Sequence, residues 1–101
     1  MPYRVKLTER ALRDMHLVYE FIAADIHESA FAWFNSLARA IYSLERLPKR
    51  GAVVQENKKL RQLFFGKKPG VYRIIYEVNE RKLVVNILHI RHGARNVLSP
   101  G

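Results

Sequence analysis

Residues 60–95, LRQLFFGKKPGVYRIIYEVNERKLVVNILHIRHGAR, admit few folds. Three apolar runs, residues 60–65, 71–78 and 83–90, are each of strand length and dense in β-branched and aromatic side chains. Gly66-Lys67-Lys68-Pro69-Gly70 separates the first two, and Asn79-Glu80-Arg81 the second pair. Glycine reaches positive φ at little cost and proline has no N–H to give a ladder, so both joints predict hairpin loops. The pattern predicts a three-stranded antiparallel meander. Basic groups accompany it: Arg61, Lys67, Lys68, Arg73, Arg91, His92 and Arg95.

What precedes the meander has to cover it. Tyr3, Val5 and Leu7 alternate with Arg4 and Lys6, which predicts a half-buried strand added to the meander's edge. Thr8 is placed to cap a helix, with Glu9 favourable in the first turn. Ala11, Met15, Val18, Phe21 and Ile22 form its apolar stripe, which fades at Asp25-Ile26-His27-Glu28. Ser29 reads as the next cap, and a second helix runs from about Ala30 to Leu47 on a stripe of Phe31, Phe34, Leu37, Ala38, Ile41 and Leu44. So short a connection predicts an antiparallel helical hairpin. Pro48 stops the second helix, and a polar loop leads through residues 49–59 to the meander. The order predicts one α+β domain over residues 1–101, helices on one sheet face and the other face uncovered.

Composition narrows the function classes. A chain of 101 residues supports one modest core, and 49% apolar residues argue for a globular fold. There is no cysteine, so disulfide and thiolate chemistry are excluded. No apolar run approaches the roughly 20 residues of a membrane span, and no signal-peptide core follows Met1, so a cytoplasmic location is expected. The scattered histidines suggest no metal site and nothing suggests a cofactor. The net charge of +9 is unevenly distributed. Residues 1–48 carry six basic and six acidic side chains; residues 49–101 carry twelve basic against Glu56, Glu77 and Glu80. A basic half on a small domain is the footprint of a polyanion or acidic-protein binder. Lys58, Lys59, Arg61, Lys67, Lys68 and Arg91 are the candidate target-binding residues.

Three stretches carry a resemblance: YRVKLTERALRDM at the start, GVYRIIYEV in the middle strand and ILHIRHGAR at the end. With the strand–helix–helix–meander layout they resemble the RelE/ParE superfamily of type II toxin–antitoxin toxins over nearly the whole chain. The Gly-x-Tyr-Arg-x-x-Tyr strand followed by His-x-x-His-Gly-x-Arg is the specific part. The resemblance implies a growth-arresting toxin, of the kind that stabilises plasmids, neutralised by an acidic antitoxin from a neighbouring gene. It implies one of two targets: ribosome-bound mRNA, cut without metal in RelE-like members, or DNA gyrase, poisoned by ParE-like members.

For RNA cutting, the resemblance assigns Arg73 to the phosphate, His92 to proton transfer and Arg95 to the same set. The RNA supplies its 2′-OH as nucleophile. His92 is suited to that work because an unperturbed imidazole titrates near 6.5. His89, among Ile87 and Leu88, reads as structural. Two departures favour the ParE-like alternative. RelE-like enzymes carry a lysine pair in the strand before Gly-Tyr-Arg, where this chain has Arg61-Gln62-Leu63-Phe64-Phe65, and a tyrosine after the final arginine, where it has Asn96-Val97-Leu98. A non-catalytic nucleic-acid binder and a degenerate toxin kept as an antitoxin partner are the other expectations.

Overall fold

The alternation at the N-terminus forms strand β1 (Arg4–Leu7), with Val5 and Leu7 packed on the core and Arg4 and Lys6 exposed. The structure, a computed structural model, describes residues 2–25, 30–67 and 70–92. Thr8 ends the strand and caps helix α1 (Glu9–Asp25), its Oγ1 accepting from the Ala11 N–H at 3.1 Å. The same hydroxyl donates to the Ile87 carbonyl at 2.9 Å, so the cap also ties the helix to the sheet. Ser29, the expected second cap, lies outside the described residues.

Helix α2 (Ala30–Tyr42) stops before the expected Leu47 and passes into a 3-10 turn, Ser43–Glu45, that carries Leu44 into the core. Ser43 explains the early stop. Its hydroxyl donates to the Ala40 carbonyl at 2.6 Å and accepts from Arg50 Nη1 at 2.7 Å, competing with the helix ladder. Both stripes also lose one aromatic residue to the surface. Phe21 is 58% and Phe31 66% exposed, because the sheet takes the inner residues of each stripe and leaves these at the rim.

Among the described residues the sheet has five strands. After β1 come β2 (Ala52–Val54), β3 (Asn57–Phe65), β4 (Tyr72–Asn79) and β5 (Val84–His92), in the order β1-β5-β4-β3-β2. The expected meander is β3-β4-β5, and β1 joins its edge in parallel with β5. Strand β2 is an addition in the stretch expected to be polar loop. With three residues and a register slip between Val53 and Val54, it has no periodicity to read. In the first hairpin Gly66 has φ +101°, and a Cβ there would lie 2.4 Å from the Gly70 carbonyl oxygen. In the second, Leu83 takes φ 56°, and the Arg4 N–H holds its carbonyl at 2.8 Å.

Strand β4 alternates Tyr72, Ile74 and Tyr76 toward the helices with Arg73 and Ile75 away from them. Strand β5 breaks that alternation. Ile75 pairs with His89 and Tyr76 with Ile87, so Leu88 is an extra residue in the ladder, a β-bulge. Val85 and Ile87 face the core before it, and Ile90 faces the core three residues on.

The Tyr76 side chain is fully buried, and its hydroxyl accepts from the Gly51 N–H at 2.9 Å. Burial, opposed by that bond and by Arg61 and Arg50, pushes its phenol pKa up. Arg61 Nη1 closes the same loop on the Gly51 carbonyl at 2.7 Å. Tyr76→Phe keeps the ring packing but strands a buried N–H, and is expected to cost about 1–3 kcal/mol in urea unfolding. Gly51→Ala is expected to cost more, since its Cβ would meet the Gln62 carbonyl oxygen at 2.6 Å.

Candidate functional site: the sheet face turned from the helices and the end of β5

Arg73 sits on the sheet face turned away from the helices, 4% exposed, and its Nη2 donates to Gln62 Oε1. Directly across β3 is Phe64, 54% exposed, and directly across β5 is Arg91. Phe64, Arg73 and Arg91 therefore form one rung across three strands; Gln62, Ile75 and His89 form the next. Arg4 and Lys6 extend the face onto the β1 edge, paired with Val84 and Asn86, and Glu77 brings an acid to it. Alternation and register make this face predominantly cationic, with Arg73 and Ile75 buried in its middle and the Phe64 ring exposed at its rim.

His92 is on the other face. It pairs with Tyr72, and their rings meet edge to face with centroids 5.1 Å apart. Tyr72 in turn meets Trp33 at 5.3 Å, and Trp33 meets Phe65 at 5.4 Å. This aromatic chain borders a cleft of about 440 Å³ between α1 and β5, lined by Asp14, Leu17, Phe21, Ile90, Arg91 and His92. Arg73 and His92, assigned to one chemistry by resemblance, thus lie on neighbouring rungs but opposite faces.

The other candidates disperse. Lys58 and Lys59 are exposed at the start of β3, while Lys67 is exposed beyond its end. The nine residues of that strand span roughly 30 Å at about 3.3 Å each, so these lysines do not converge. Arg61 lies opposite Tyr76 on the helix side and is engaged with the Lys49 and Gly51 carbonyls. Lys68 and Arg95 lie outside the described residues. Phe64 was not among the candidates, though its period-two spacing from Gln62 marks it as sharing that residue's face. Asp14 left no signal: it reads as a surface acid, yet it accepts the Ile90 N–H at 3.0 Å.

Asp14 Oδ2 also lies 3.9 Å from His89 Nδ1. Burial, then Arg10 and Arg91, pull the His89 pKa below its usual value, and Asp14 only partly opposes them. At neutral pH the contact is therefore carboxylate to neutral imidazole, not an ion pair. A histidine held below its unfolded pKa contributes stability that is present above about 6.5 and lost as pH falls through the folded value. The urea midpoint is expected to drop between about pH 7.5 and about pH 5.5, and His89→Gln is expected to flatten that part of the profile.

Comparison with known proteins agrees with this architecture. The profile of the ParE toxin of the type II toxin–antitoxin system parDE matches residues 5–97. Toxin RelG of Mycobacterium tuberculosis is 32% identical over 97 residues, which cover 93% of this chain and 94% of RelG. A chain of the RelBE2 toxin–antitoxin complex from the same organism superposes with a TM-score of 0.61 at 29% identity, covering 91% of this chain and 99% of that one. A chain of the chromosomal ParDE system of Pseudomonas aeruginosa shares the fold with a TM-score of 0.72 at 20% identity, covering 89% and 95%. This chain belongs to the ParE toxin family of type II toxin–antitoxin systems, within the RelE/ParE superfamily.

Proposed function

We propose that this toxin arrests growth by binding DNA gyrase through the sheet face turned from its helices, at the rim around Phe64, not by cutting RNA, and that an acidic antitoxin holds it inactive. The observation that carries the proposal is the placement of Arg73 and His92 on opposite faces. RNA cleavage by transesterification needs a cation on the phosphate and a proton-transfer group on the reacting oxygens of the same bond. A sheet between the two groups denies that convergence. On Arg73's own face, the strand in which RelE-like enzymes carry lysines presents Gln62 and Phe64. An exposed aromatic ring and a partly exposed arginine on one rung, Phe64 and Arg91, are instead the composition of a protein-binding hot spot.

The antitoxin has a separate surface available. An apolar groove of about 610 Å³ runs between α1 and α2, lined by Leu12, Tyr19, Phe31, Phe34 and Tyr42 among others. Apolar anchors there would hold an antitoxin segment, while its acids would speed encounter with the basic half. The RelBE2 and ParDE structures are of such toxin–antitoxin systems, which supports this pairing.

Expression of the chain alone in bacteria is expected to arrest growth, with rescue by the antitoxin. Mapping RNA 5′ ends and DNA breaks in the same arrested cells is expected to show double-strand breaks and no cuts at the ribosomal A site. Phe64→Ala and Arg91→Glu should each weaken target binding by roughly 30-fold, the loss of about 2 kcal/mol at a hot spot, while His92→Gln remains toxic. A-site cuts that vanish in His92→Gln would refute the proposal.

A further inference from the structure

Beyond Ile87, β5 no longer has β1 as a neighbour, and helix α1 takes over that edge through a single carboxylate. Asp14 Oδ1 lies 3.4 Å from Arg10 Nε, while Oδ2 accepts the Ile90 N–H at 3.0 Å. His89 Nδ1, 3.9 Å from that Oδ2, is buried and makes no hydrogen bond. A third of the His89 side chain remains exposed, so solvent protons reach the ring from its far side. The charged groups around it are Arg10 and Asp14 from α1 and Arg91 from its own strand; β4 presents Ile75 opposite.

We propose that Asp14 and His89 form a proton-operated latch on the β5 bulge, in which protonation of His89 draws the Asp14 carboxylate off the Ile90 N–H and frees that edge of the strand from α1. Neutral imidazole carries one N–H and need not present it at Nδ1; imidazolium carries both and brings a full charge. That charge competes for the oxygen that Ile90 uses. The amide's bond to the carboxylate is ionic on one side only, whereas the imidazolium's is ionic on both, so the backbone amide loses the competition. The edge released runs directly into Arg91 and His92, which line the cleft. Acid therefore alters the edge where the face turned from the helices and the α1–β5 cleft meet, whatever the target.

The test follows the Ile90 amide and the His89 ring by NMR in the full-length isotope-labelled protein, from about pH 7.5 down to about pH 5. The expected result is one midpoint for both: the Ile90 amide proton moves upfield and its exchange protection falls roughly tenfold as His89 titrates. His89→Gln should remove the Ile90 transition while leaving its amide protected. The latch is overturned if the Ile90 amide stays constant while His89 titrates, or if the same transition persists in His89→Gln. Should that variant not fold, coincident or separate midpoints in the unsubstituted protein decide the matter alone.

Discussion

The extra residue at Leu88 sets which side chains share a face at the end of the sheet. Val85 and Ile87 point to the core, and unbroken alternation from them would turn His89 and Arg91 toward the helices and set His92 beside Arg73. The bulge reverses that parity, so Ile90 and His92 face the helices and Arg91 joins Arg73. It is held in place by the start of α1. Thr8 donates its N–H and its hydroxyl to the Ile87 carbonyl, and Asp14 takes the Ile90 N–H. The residue that caps the helix thus also fixes the parity of the strand.

Two chemically different surfaces follow from this one insertion. On the helix side, Tyr72, Trp33, Phe65 and His92 form an aromatic chain around an apolar cleft. On the side turned from the helices, Arg73 and Arg91 sit with Phe64. A guanidinium as buried as Arg73 is costly unless it is hydrogen-bonded, and Gln62 meets part of that need. A lysine at position 62 would place a second cation against Arg73 where Gln62 supplies an acceptor. The opposite end of the sheet is fixed independently, by Tyr76, Gly51 and Arg61.

Much of this was legible in the residues. The apolar runs and the two loop-forming joints specified β3, β4 and β5, and Thr8 specified the first cap, because these signals are local. Strand β2 was not legible, since its three residues are strands only by virtue of pairing with β3. Phe21 and Phe31 obey helical spacing, yet their exposure depends on how far the sheet reaches beneath each helix. The site was harder to read for a similar reason. Arg73 and His92 each sit in a recognisable motif, but a bulge has no signature in Asn86-Ile87-Leu88-His89. Asp14's role depends on α1 lying along the edge that β1 vacates.

The separation of Arg73 from His92 is what the functional account rests on, and it can be measured without an activity assay. Proton–proton Overhauser contacts of the His92 ring in the labelled protein report its face directly. The account predicts contacts from His92 to the Tyr72 ring and to Ile90, and none to the side chains of Phe64 or Arg73. Contacts from His92 to Arg73 or Phe64 would place the imidazole on the cationic face, contradict the bulge, and restore the arrangement that RNA cleavage requires.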